Sequence, residues 1–507
     1  MLWIALHLPW LSLEAFAATL AGDAAGAADA PIALEDARHI AAANAAARAL
    51  GVEPGQKRAT ALALAPDLRL GQADAARDAA ALAAVVHAAL AFTPSVCVQA
   101  PPDARRSADT VLLEVRASLR CFGGPAALLR RLREAVAPLG HRIRVASAPT
   151  PLGAALLARG PGPAHAHDAA ALRRALDALP PWLLASGVEH GEAWQGMGLA
   201  TLGDLRRLPR ASLARRFGAA LLAELDRAYG ERPDPREALA PPPGFESRLE
   251  LFTRADGAEQ VLHAAALLLA RLAAWLAAQH ALARGFTLAL RHEPRWRGDA
   301  RVPAQTLLEV ALAEPSRDPA HLQVLLRERL MRLRLPAPTL ELALSAHEIV
   351  PGAAPSGELF PSAASEREGL VRLVERLQAR LGAARVQTLH ALHDHRPERA
   401  SALRPAQPAR LGQRGAAIEP SVLPPRPVWL LAPPEPLAAR GGQPLLGGRV
   451  LRLLSGPERI EAGWWDHELA ERDYFIAEDA GGALLWLYRG RLPDGPGSGW
   501  FLHGRFA

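Results

Sequence analysis

Met1-Leu-Trp-Ile-Ala-Leu-His-Leu-Pro-Trp-Leu-Ser-Leu-Glu14 is an apolar stretch in which Pro9 interrupts the run and Glu14 is the first acidic residue. An apolar run that ends at a proline predicts a buried strand, and the residues after it predict a helix. The stretch lacks a basic leader and is far shorter than a bilayer span. We therefore expect neither a signal peptide nor a membrane anchor here, and no later stretch is expected to cross a membrane.

A second stretch, Ser107-Ala-Asp-Thr-Val-Leu-Leu-Glu-Val115, has the branched and apolar residues typical of a strand, with Asp109 near its start. Phe122-Gly-Gly124 and Val145-Ala-Ser-Ala-Pro-Thr-Pro-Leu-Gly-Ala-Ala155 follow it along the chain.

Three helices are predicted between these strands, and Val52-Glu-Pro-Gly55 is a turn into the second of them. Glu35, Arg38 and Arg48 recur at helical spacing in an alanine-rich run, which predicts a helix over residues 34–50 that ends at Gly51. A longer helix is expected over about residues 75–91.

Length and charge set the broad class of the protein. A chain of 507 residues with 50% hydrophobic content is expected to form two to four globular domains. Of its 58 basic residues, 57 are arginine, which we attribute to codon composition. The net charge of +6 and the pI near 10.1 favour a polyanionic partner, although the excess is modest for this length.

Cysteine and histidine give little support for a metal site. Cys97 and Cys121 are too few and too far apart for a disulfide framework or a cysteine-based zinc site, and they fit a reducing cytoplasm. The histidines that cluster, without a recognisable ligand spacing, are His165 and His167, and His390, His393 and His395 beside Asp394. We therefore predict no metal and no cofactor.

Residues 170–230 predict short helices around Gly196-Met-Gly-Leu-Ala-Thr-Leu-Gly-Asp-Leu-Arg-Arg-Leu-Pro209, after a linker at residues 160–168. A turn between two such helices can direct backbone N–H groups at DNA phosphates. The alternative is a helical bundle with a solvated basic face. The candidate phosphate contacts are Arg206, Arg207, Arg210, Arg215 and Arg216.

A proline-rich linker at residues 233–243 precedes a predicted β-α-β-β-α-β unit. Its elements are expected at residues 248–252, 258–280, 284–292, 305–313, 319–333 and 339–346. The loop between the two central strands contains the residues proposed to contact DNA, with a solvated hairpin tip as the alternative. These residues are Arg291, Arg295, Trp296, Arg297 and Arg301.

The quoted stretches resemble those of Y-family DNA polymerases. Residues 1–14 resemble the first palm strand, residues 43–68 resemble the fingers, and residues 107–115 resemble the second catalytic motif. Residues 145–155 resemble a later palm strand and the helix that follows it. The β-α-β-β-α-β order resembles the little-finger domain. The resemblance implies an α+β multidomain fold with a palm, fingers, a thumb and a little finger, followed by a flexible linker and a small β-rich C-terminal module.

The resemblance also identifies what the catalytic positions have lost. His7, Pro9 and Thr110 stand where the family has metal-binding carboxylates, and only Asp109 is retained. Arg48 matches an arginine that contacts the incoming triphosphate, whereas Ala45 replaces its partner tyrosine. Because Mg²⁺ requires anionic oxygen ligands, we predict that the chain is not an enzyme.

A peptide that resembles the motif for the bacterial β sliding clamp follows the little finger. In Pro351-Gly-Ala-Ala-Pro-Ser-Gly-Glu-Leu-Phe-Pro361, Leu359 and Phe360 suit a hydrophobic pocket after Glu358. Ser356 and Gly357 depart from the usual glutamine and leucine. The alternatives are a buried linker anchor, or a rival clamp peptide at Gln443-Pro-Leu-Leu446.

Ser365-Glu-Arg-Glu368 is a capping box that opens an amphipathic helix.

Residues 401–440 are rich in proline and alanine and are expected to be flexible. Beyond them, aromatic residues concentrate in a predicted β-rich module. A plain aromatic core would explain most of them, and exposed members would serve as anchors for a protein partner. The candidate anchors are Trp464, Trp465, Tyr474, Phe475, Trp500 and Phe501.

This tail resembles that of the catalytically degenerate, Y-family-like subunit of a bacterial mutagenesis cassette. The resemblance implies a cytoplasmic, non-catalytic adaptor in DNA-damage-induced translesion synthesis. Its partners would be DNA, the β clamp, a RecA-like protein and an error-prone DnaE-type polymerase. The expected divisions are palm and fingers at 1–165, thumb at 166–240, little finger at 245–350, linker with clamp peptide at 351–425 and partner-binding module at 426–507.

Two other functions stay open at this point. The first is an active Y-family polymerase that uses Glu14, Asp109 and Glu114. The second is a DNA-binding structural protein without clamp contact.

Overall fold

The computed structural model describes residues 1–20, 30–99, 108–294, 303–352, 363–407, 425–491 and 498–506. The chain divides into two compact units, unit 1 at Met1–Pro361 and unit 2 at Ser362–Ala507.

Unit 1 begins with a four-stranded antiparallel palm sheet in the order β5-β6-β1-β7. Its strands are β1 (Trp3–His7), β5 (Val96–Gln99), β6 (Thr110–Glu114) and β7 (Arg144–Ala148). The helices of this region are α1 (Leu11–Ala17), α4 (Ala75–Leu90), α5 (Pro125–Val136) and α6 (Pro151–Arg159). Every residue of β1 is buried.

The two faces of β1 explain why its sequence is a continuous apolar run. Ile4 and Leu6 enter a core with residues of α4 and α5, whereas Trp3 and Ala5 enter a second core with residues of α6. A strand that is covered on both faces has no need for polar alternation. The predicted opening strand and helix therefore form as expected.

The fingers form a three-stranded sheet in the order β3-β2-β4. Its elements are β2 (Ile32–Asp36), β3 (His39–Ala43), α2 (Ala45–Ala49), α3 (Arg58–Leu64) and β4 (Arg69–Gln72). The predicted helix over residues 34–50 is therefore wrong over most of its length. Asp36 pairs with His39 across a two-residue turn, in which Ala37 and Arg38 both have positive φ, as in the hairpin turn that matches strand twist.

Five helices form the thumb region. They are α7 (Ala169–Asp177), α8 (Ser186–Gly196), α9 (Leu202–Arg207), α10 (Arg210–Phe217) and α11 (Ala219–Tyr229). Thr201 and Asp204 form a capping box at the start of α9, and only Leu208 and Pro209 separate α9 from α10. Trp194 is buried in the core that joins these helices to α6.

The predicted β-α-β-β-α-β unit is present in the predicted order. Its elements are β8 (Phe245–Ala255), α12 (Ala258–Ala278), β9 (Ala281–His292), β10 (Gln305–Ser316), α13 (Pro319–Leu330) and β11 (Thr339–Pro351). The strands form one antiparallel sheet in the order β10-β9-β11-β8. The helix α12 packs against α4 of the palm, where Ala270 and Ala274 join a core that contains Ala81, Ala84 and Ala88.

The expectation that no later stretch is apolar enough to cross a membrane is wrong by length and composition, because α12 meets both criteria. However, 67% of its apolar window is buried within the protein. That burial is typical of a core helix in a folded domain.

Unit 2 begins with a helix and a small hairpin. These are α14 (Ala363–Leu381), β12 (Gln387–Ala391) and β13 (Ser401–Pro405). The remaining strands are β14 (Trp429–Arg440), β15 (Gln443–Leu446), β16 (Arg449–Val450), β17 (Arg452–Ala462), β18 (Ala470–Glu478), β19 (Leu484–Gly490) and β20 (Gly499–Arg505). The expected flexibility of residues 401–440 is therefore wrong at both ends of that range, where β13 and β14 lie.

The strands β14–β20 close into an antiparallel barrel. They pair in the order β16-β15-β14-β20-β19-β18-β17, and only Leu451 separates β16 from β17 along the chain. The two ends of the sheet are thus joined directly through the chain. Leu451, Leu487, Trp500 and Leu502 are buried in the barrel core. The β-rich C-terminal module is therefore confirmed.

Candidate functional site

The register of the palm sheet brings the degenerate catalytic positions together. His7 lies opposite Thr110 on one side and Arg144 on the other, and the N–H of Leu8 donates to the carbonyl of Asp109 at 2.8 Å. His7 Nδ1 lies 3.2 Å from Thr110 Oγ1 and 3.5 Å from Asp109 Oδ1. Thr110 Oγ1 donates to Asp109 Oδ1 at 2.7 Å.

A cation from another element completes this cluster. Arg159, the last residue of α6, donates from Nη2 to Asp109 Oδ1 at 2.8 Å. Burial alone would raise the pKa of Asp109. The hydrogen bond from His7 and the positive charge of Arg159 outweigh that effect and hold the pKa well below its usual range. Asp109 is therefore an ionised carboxylate whose charge is already balanced by the protein.

These residues do not fit a magnesium ion. The available groups are an imidazole, a hydroxyl and one carboxylate that a guanidinium already contacts, whereas Mg²⁺ prefers several oxygen ligands in octahedral geometry. Pro9 is exposed and offers no side-chain ligand. In the described ranges, no group of three or more His, Cys, Asp or Glu residues could hold a metal ion.

The structure does not bring together the three carboxylates that an active polymerase would need. Glu114 ends β6, four residues and about 13 Å along the strand from Thr110. Its Oε1 accepts from the N–H of Leu2 at 3.1 Å. Glu14 lies in α1, and its Oε2 accepts from the N–H of Arg142 at 3.1 Å.

Ala45 and Arg48, the predicted remnant of a nucleotide pocket, both lie in α2 and are exposed. Ala45 is the exposed first residue of α2, and Asn44 caps that helix by accepting from the N–H of Ala47 at 2.9 Å. The guanidinium of Arg48 lies over the ring of Trp10, 5.1 Å from its centroid. Arg48 is thus engaged in a cation–π contact.

Acidic side chains neutralise part of the predicted thumb surface. Arg207 pairs with Asp204 at 3.0 Å, and Arg210 pairs with Asp226 at 2.7 Å. Arg206 lies 3.8 Å from Asp177 and over the ring of Tyr229. Arg215 and Arg216 are exposed on α10, so they are the more available cations of this set.

The open face of the little-finger sheet carries both signs of charge. Arg291 donates to Glu341 at 3.1 Å, and Glu250 is the residue of β8 opposite Glu341. Glu309 is exposed on β10 of the same sheet. This acidic content was missed because the prediction considered only the basic hairpin. The other predicted contacts of that hairpin, Arg295, Trp296, Arg297 and Arg301, lie outside the described residues.

A cleft of about 1360 Å³ separates the fingers from the edge strand β8 of the little finger. Arg58 and Glu35, which pair at 3.1 Å, line its fingers side. Arg271 lies buried on the opposite side, where its Nη1 donates to Ser247 Oγ at 3.2 Å, and burial lowers its pKa to about 10. The mixed charges of the lining do not select one class of ligand.

The two candidate clamp peptides differ in their surroundings. The predicted peptide, with Ser356, Gly357, Glu358, Leu359 and Phe360, lies outside the described residues. The rival at Gln443–Leu446 forms β15 of the barrel, where it pairs with β14 and β16. A strand paired on both sides cannot also dock as a free extended peptide.

The barrel divides the candidate partner anchors into buried and exposed groups. Trp500 lies in the barrel core with Phe475 packed against it, and Tyr474 and Phe501 belong to a second aromatic cluster. By contrast, Trp464 is 76% exposed and Trp465 is 51% exposed. The condition that an anchor must be exposed therefore narrows the prediction to these two tryptophans.

The sequence did not identify an ion-pair network around Arg396. Its guanidinium donates to Asp394 at 2.7 Å and to Asp466 at 2.6 Å, and it lies over the ring of Trp465. Asp394 is thus a structural partner of Arg396. Arg159 was also missed, because only the packing of α6 on the palm sheet brings it to Asp109.

The chain is similar to several known proteins. The sequence model of the impB/mucB/samB family matches residues 13–159. Over 480 residues the chain is 32% identical to Protein ImuB of Caulobacter vibrioides strain NA1000 / CB15N, with 90% of this chain and 100% of that protein covered. Protein ImuB of C. vibrioides strain ATCC 19089 / CIP 103742 / CB 15 gives the same values.

Solved structures with similarity to the chain include a Dbh ternary complex, with 16% identity and a TM-score of 0.39. DinB from Sulfolobus solfataricus also has 16% identity, with a TM-score of 0.38. Each comparison covers 69% of this chain and 100% of the other.

Proposed function

The chain belongs to the ImuB family, and from this premise we propose that it is a non-catalytic adaptor in DNA-damage-induced translesion synthesis. In this role it binds DNA and the β sliding clamp, and it recruits an error-prone DnaE-type polymerase and an ImuA/RecA-like partner. It acts in the cytoplasm.

The environment of Asp109 carries the non-catalytic part of this proposal. Two-metal phosphoryl transfer needs carboxylates that hold two cations a few ångströms apart. Here a single carboxylate remains, and Arg159 contacts it at 2.8 Å. Thr110 follows it in the chain, and His7 lies opposite Thr110 on β1.

Several surfaces support the binding part of the proposal. The net charge of +6 and the exposed Arg215 and Arg216 favour the DNA backbone. Trp464 and Trp465 are adjacent, exposed aromatic residues of the kind that anchor protein interfaces. Leu359 and Phe360 suit a hydrophobic clamp pocket.

A primer-extension assay tests the non-catalytic role. The purified protein is incubated with primed template, Mg²⁺ and all four deoxynucleotides, and we expect no added nucleotide. An active Y-family polymerase in the same buffer serves as the positive control. Sustained extension by the wild type that disappears in Asp109→Ala would instead establish the alternative function, an active polymerase.

A further inference from the structure

Arg159 and Asp109 form a largely buried ion pair at one end of the central palm strands. The Arg159 side chain is 9% exposed, and its Nη2 lies 2.8 Å from Asp109 Oδ1. Thr110 and His7 contact the same carboxylate oxygen from the neighbouring strand positions. The Asp109 side chain is 24% exposed, and these three contacts converge on one of its two carboxylate oxygens.

We propose that Arg159 is the fixed counter-ion of Asp109, and that its guanidinium excludes a divalent metal ion from this carboxylate. The guanidinium carries a permanent positive charge, so a metal ion that approached the carboxylate would meet direct electrostatic repulsion. The positive charge beside Asp109 is thus supplied by a side chain of the protein, Arg159.

The surrounding structure holds Arg159 in place. Residues 151–158 of α6 are buried, and the helix packs against β1 and β7. Arg144 of β7 donates to the carbonyl of Arg159 at 3.2 Å and to the carbonyl of Gly160 at 2.5 Å. These contacts fix the end of α6 and hence the base of the Arg159 side chain.

This arrangement predicts what happens when an acidic residue is placed at position 7. Position 7 lies beside Asp109, so His7→Asp would create a pair of neighbouring carboxylates. With Arg159 present, the new carboxylate gains an arginine partner. Without Arg159, the two carboxylates would lack a counter-ion and would bind a divalent ion.

Binding of Mn²⁺ alone tests the proposal, with free Mn²⁺ measured by electron paramagnetic resonance. The proteins are the full-length wild type, His7→Asp and His7→Asp/Arg159→Met. We expect the double variant to bind Mn²⁺ about tenfold more tightly than His7→Asp, as for loss of a competing charge-assisted contact. Equal affinity in the two variants would overturn the proposal.

His7→Asp/Arg142→Met is the matched control. It also removes one arginine, two residues before the start of β7, but Arg142 is exposed and pairs with Glu14. We expect this control to bind Mn²⁺ no more tightly than His7→Asp. A gain equal to that of the Arg159 variant would assign the effect to net charge and overturn the specific role of Arg159.

A double-mutant cycle keeps the proposal testable if the metal-binding variant does not fold. Thermal denaturation is compared for Asp109→Asn, Arg159→Met and the variant that carries both changes. We expect the combined loss in Tm to be smaller than the sum of the single losses, because each single change leaves a buried charge unpaired. Strictly additive losses would show that the two residues are not coupled, and would overturn the proposal.

Discussion

Asp109 and His503 show how burial acts differently on two titratable side chains of this molecule. Asp109 has a cationic partner in Arg159, so it keeps its charge. His503 is 1% exposed, and its Nδ1 lies 2.8 Å from the hydroxyl oxygen of Tyr474. Burial lowers the pKa of His503 to about 4, against the opposing effect of Glu398 and with a contribution from Arg472.

The lowered pKa of His503 predicts a pH-dependent stability of unit 2. In the unfolded chain this histidine takes up a proton near its ordinary pKa of about 6.5, whereas the folded barrel resists protonation until about pH 4. Its stabilising contribution is therefore complete above about pH 6.5 and is lost as the pH falls towards 4. We expect His503→Gln to lower the pH dependence of Tm over this window, as measured by calorimetry.

His393→Gln is the control for this measurement, because His393 is an exposed histidine of the same unit. We expect it to keep the wild-type pH dependence. The hypothesis is wrong if the His503 variant loses stability between pH 6.5 and pH 4 as steeply as the wild type does.

Single residues of the palm could be assigned from the sequence, but their partners could not. His7, Pro9, Asp109 and Thr110 lie in predicted strands or directly beside them, and the resemblance to Y-family polymerases assigned their positions. Arg159 lies 50 residues beyond Asp109, and only the packing of α6 on the palm sheet brings the two together. Contacts of this kind depend on tertiary structure and leave no local signal.

At the scale of elements, the packing of α12 on α4 depends on small side chains. Ala274 of α12 is 8% exposed and lies in the core shared with α4. We expect Ala274→Leu to reduce the free energy of unfolding of unit 1 by about 1–3 kcal/mol, because a larger side chain overpacks a close helix contact. Calorimetry of the full-length protein measures this loss.

Ala273→Leu provides a matched substitution on the neighbouring, partly exposed face of α12. We expect a change within about 0.5 kcal/mol there, because exposed helix positions tolerate leucine. Equal effects at positions 273 and 274 would contradict the assigned packing.

Elements with strong periodicity were predicted better than those rich in alanine. The little finger has long strands and helices of contrasting pattern, and its order is confirmed. By contrast, β2 and β3 contain few branched residues, and the turn at Ala37 and Arg38 lacks the Asn-Gly or Asp-Gly signal of a tight hairpin. Alanine favours helix locally, but the fingers sheet overrides that preference.

At the scale of the whole molecule, the predicted clamp peptide offers a test of recruitment. It follows β11, the last strand of the little finger, and precedes α14 of unit 2. Clamp binding is the property that distinguishes the proposed adaptor from a DNA-binding protein that makes no clamp contact.

We expect immobilised β clamp to retain the wild-type chain and to release most of a Leu359→Ala/Phe360→Ala variant, because the two apolar side chains would fill the clamp pocket. Leu445→Ala in the rival peptide is the control, since Leu445 pairs within the barrel opposite Ala438 and Val450. It should leave retention unchanged. Equal retention of the Leu359/Phe360 variant and the wild type would remove the clamp assignment, whereas loss in the Leu445 variant alone would transfer it to β15.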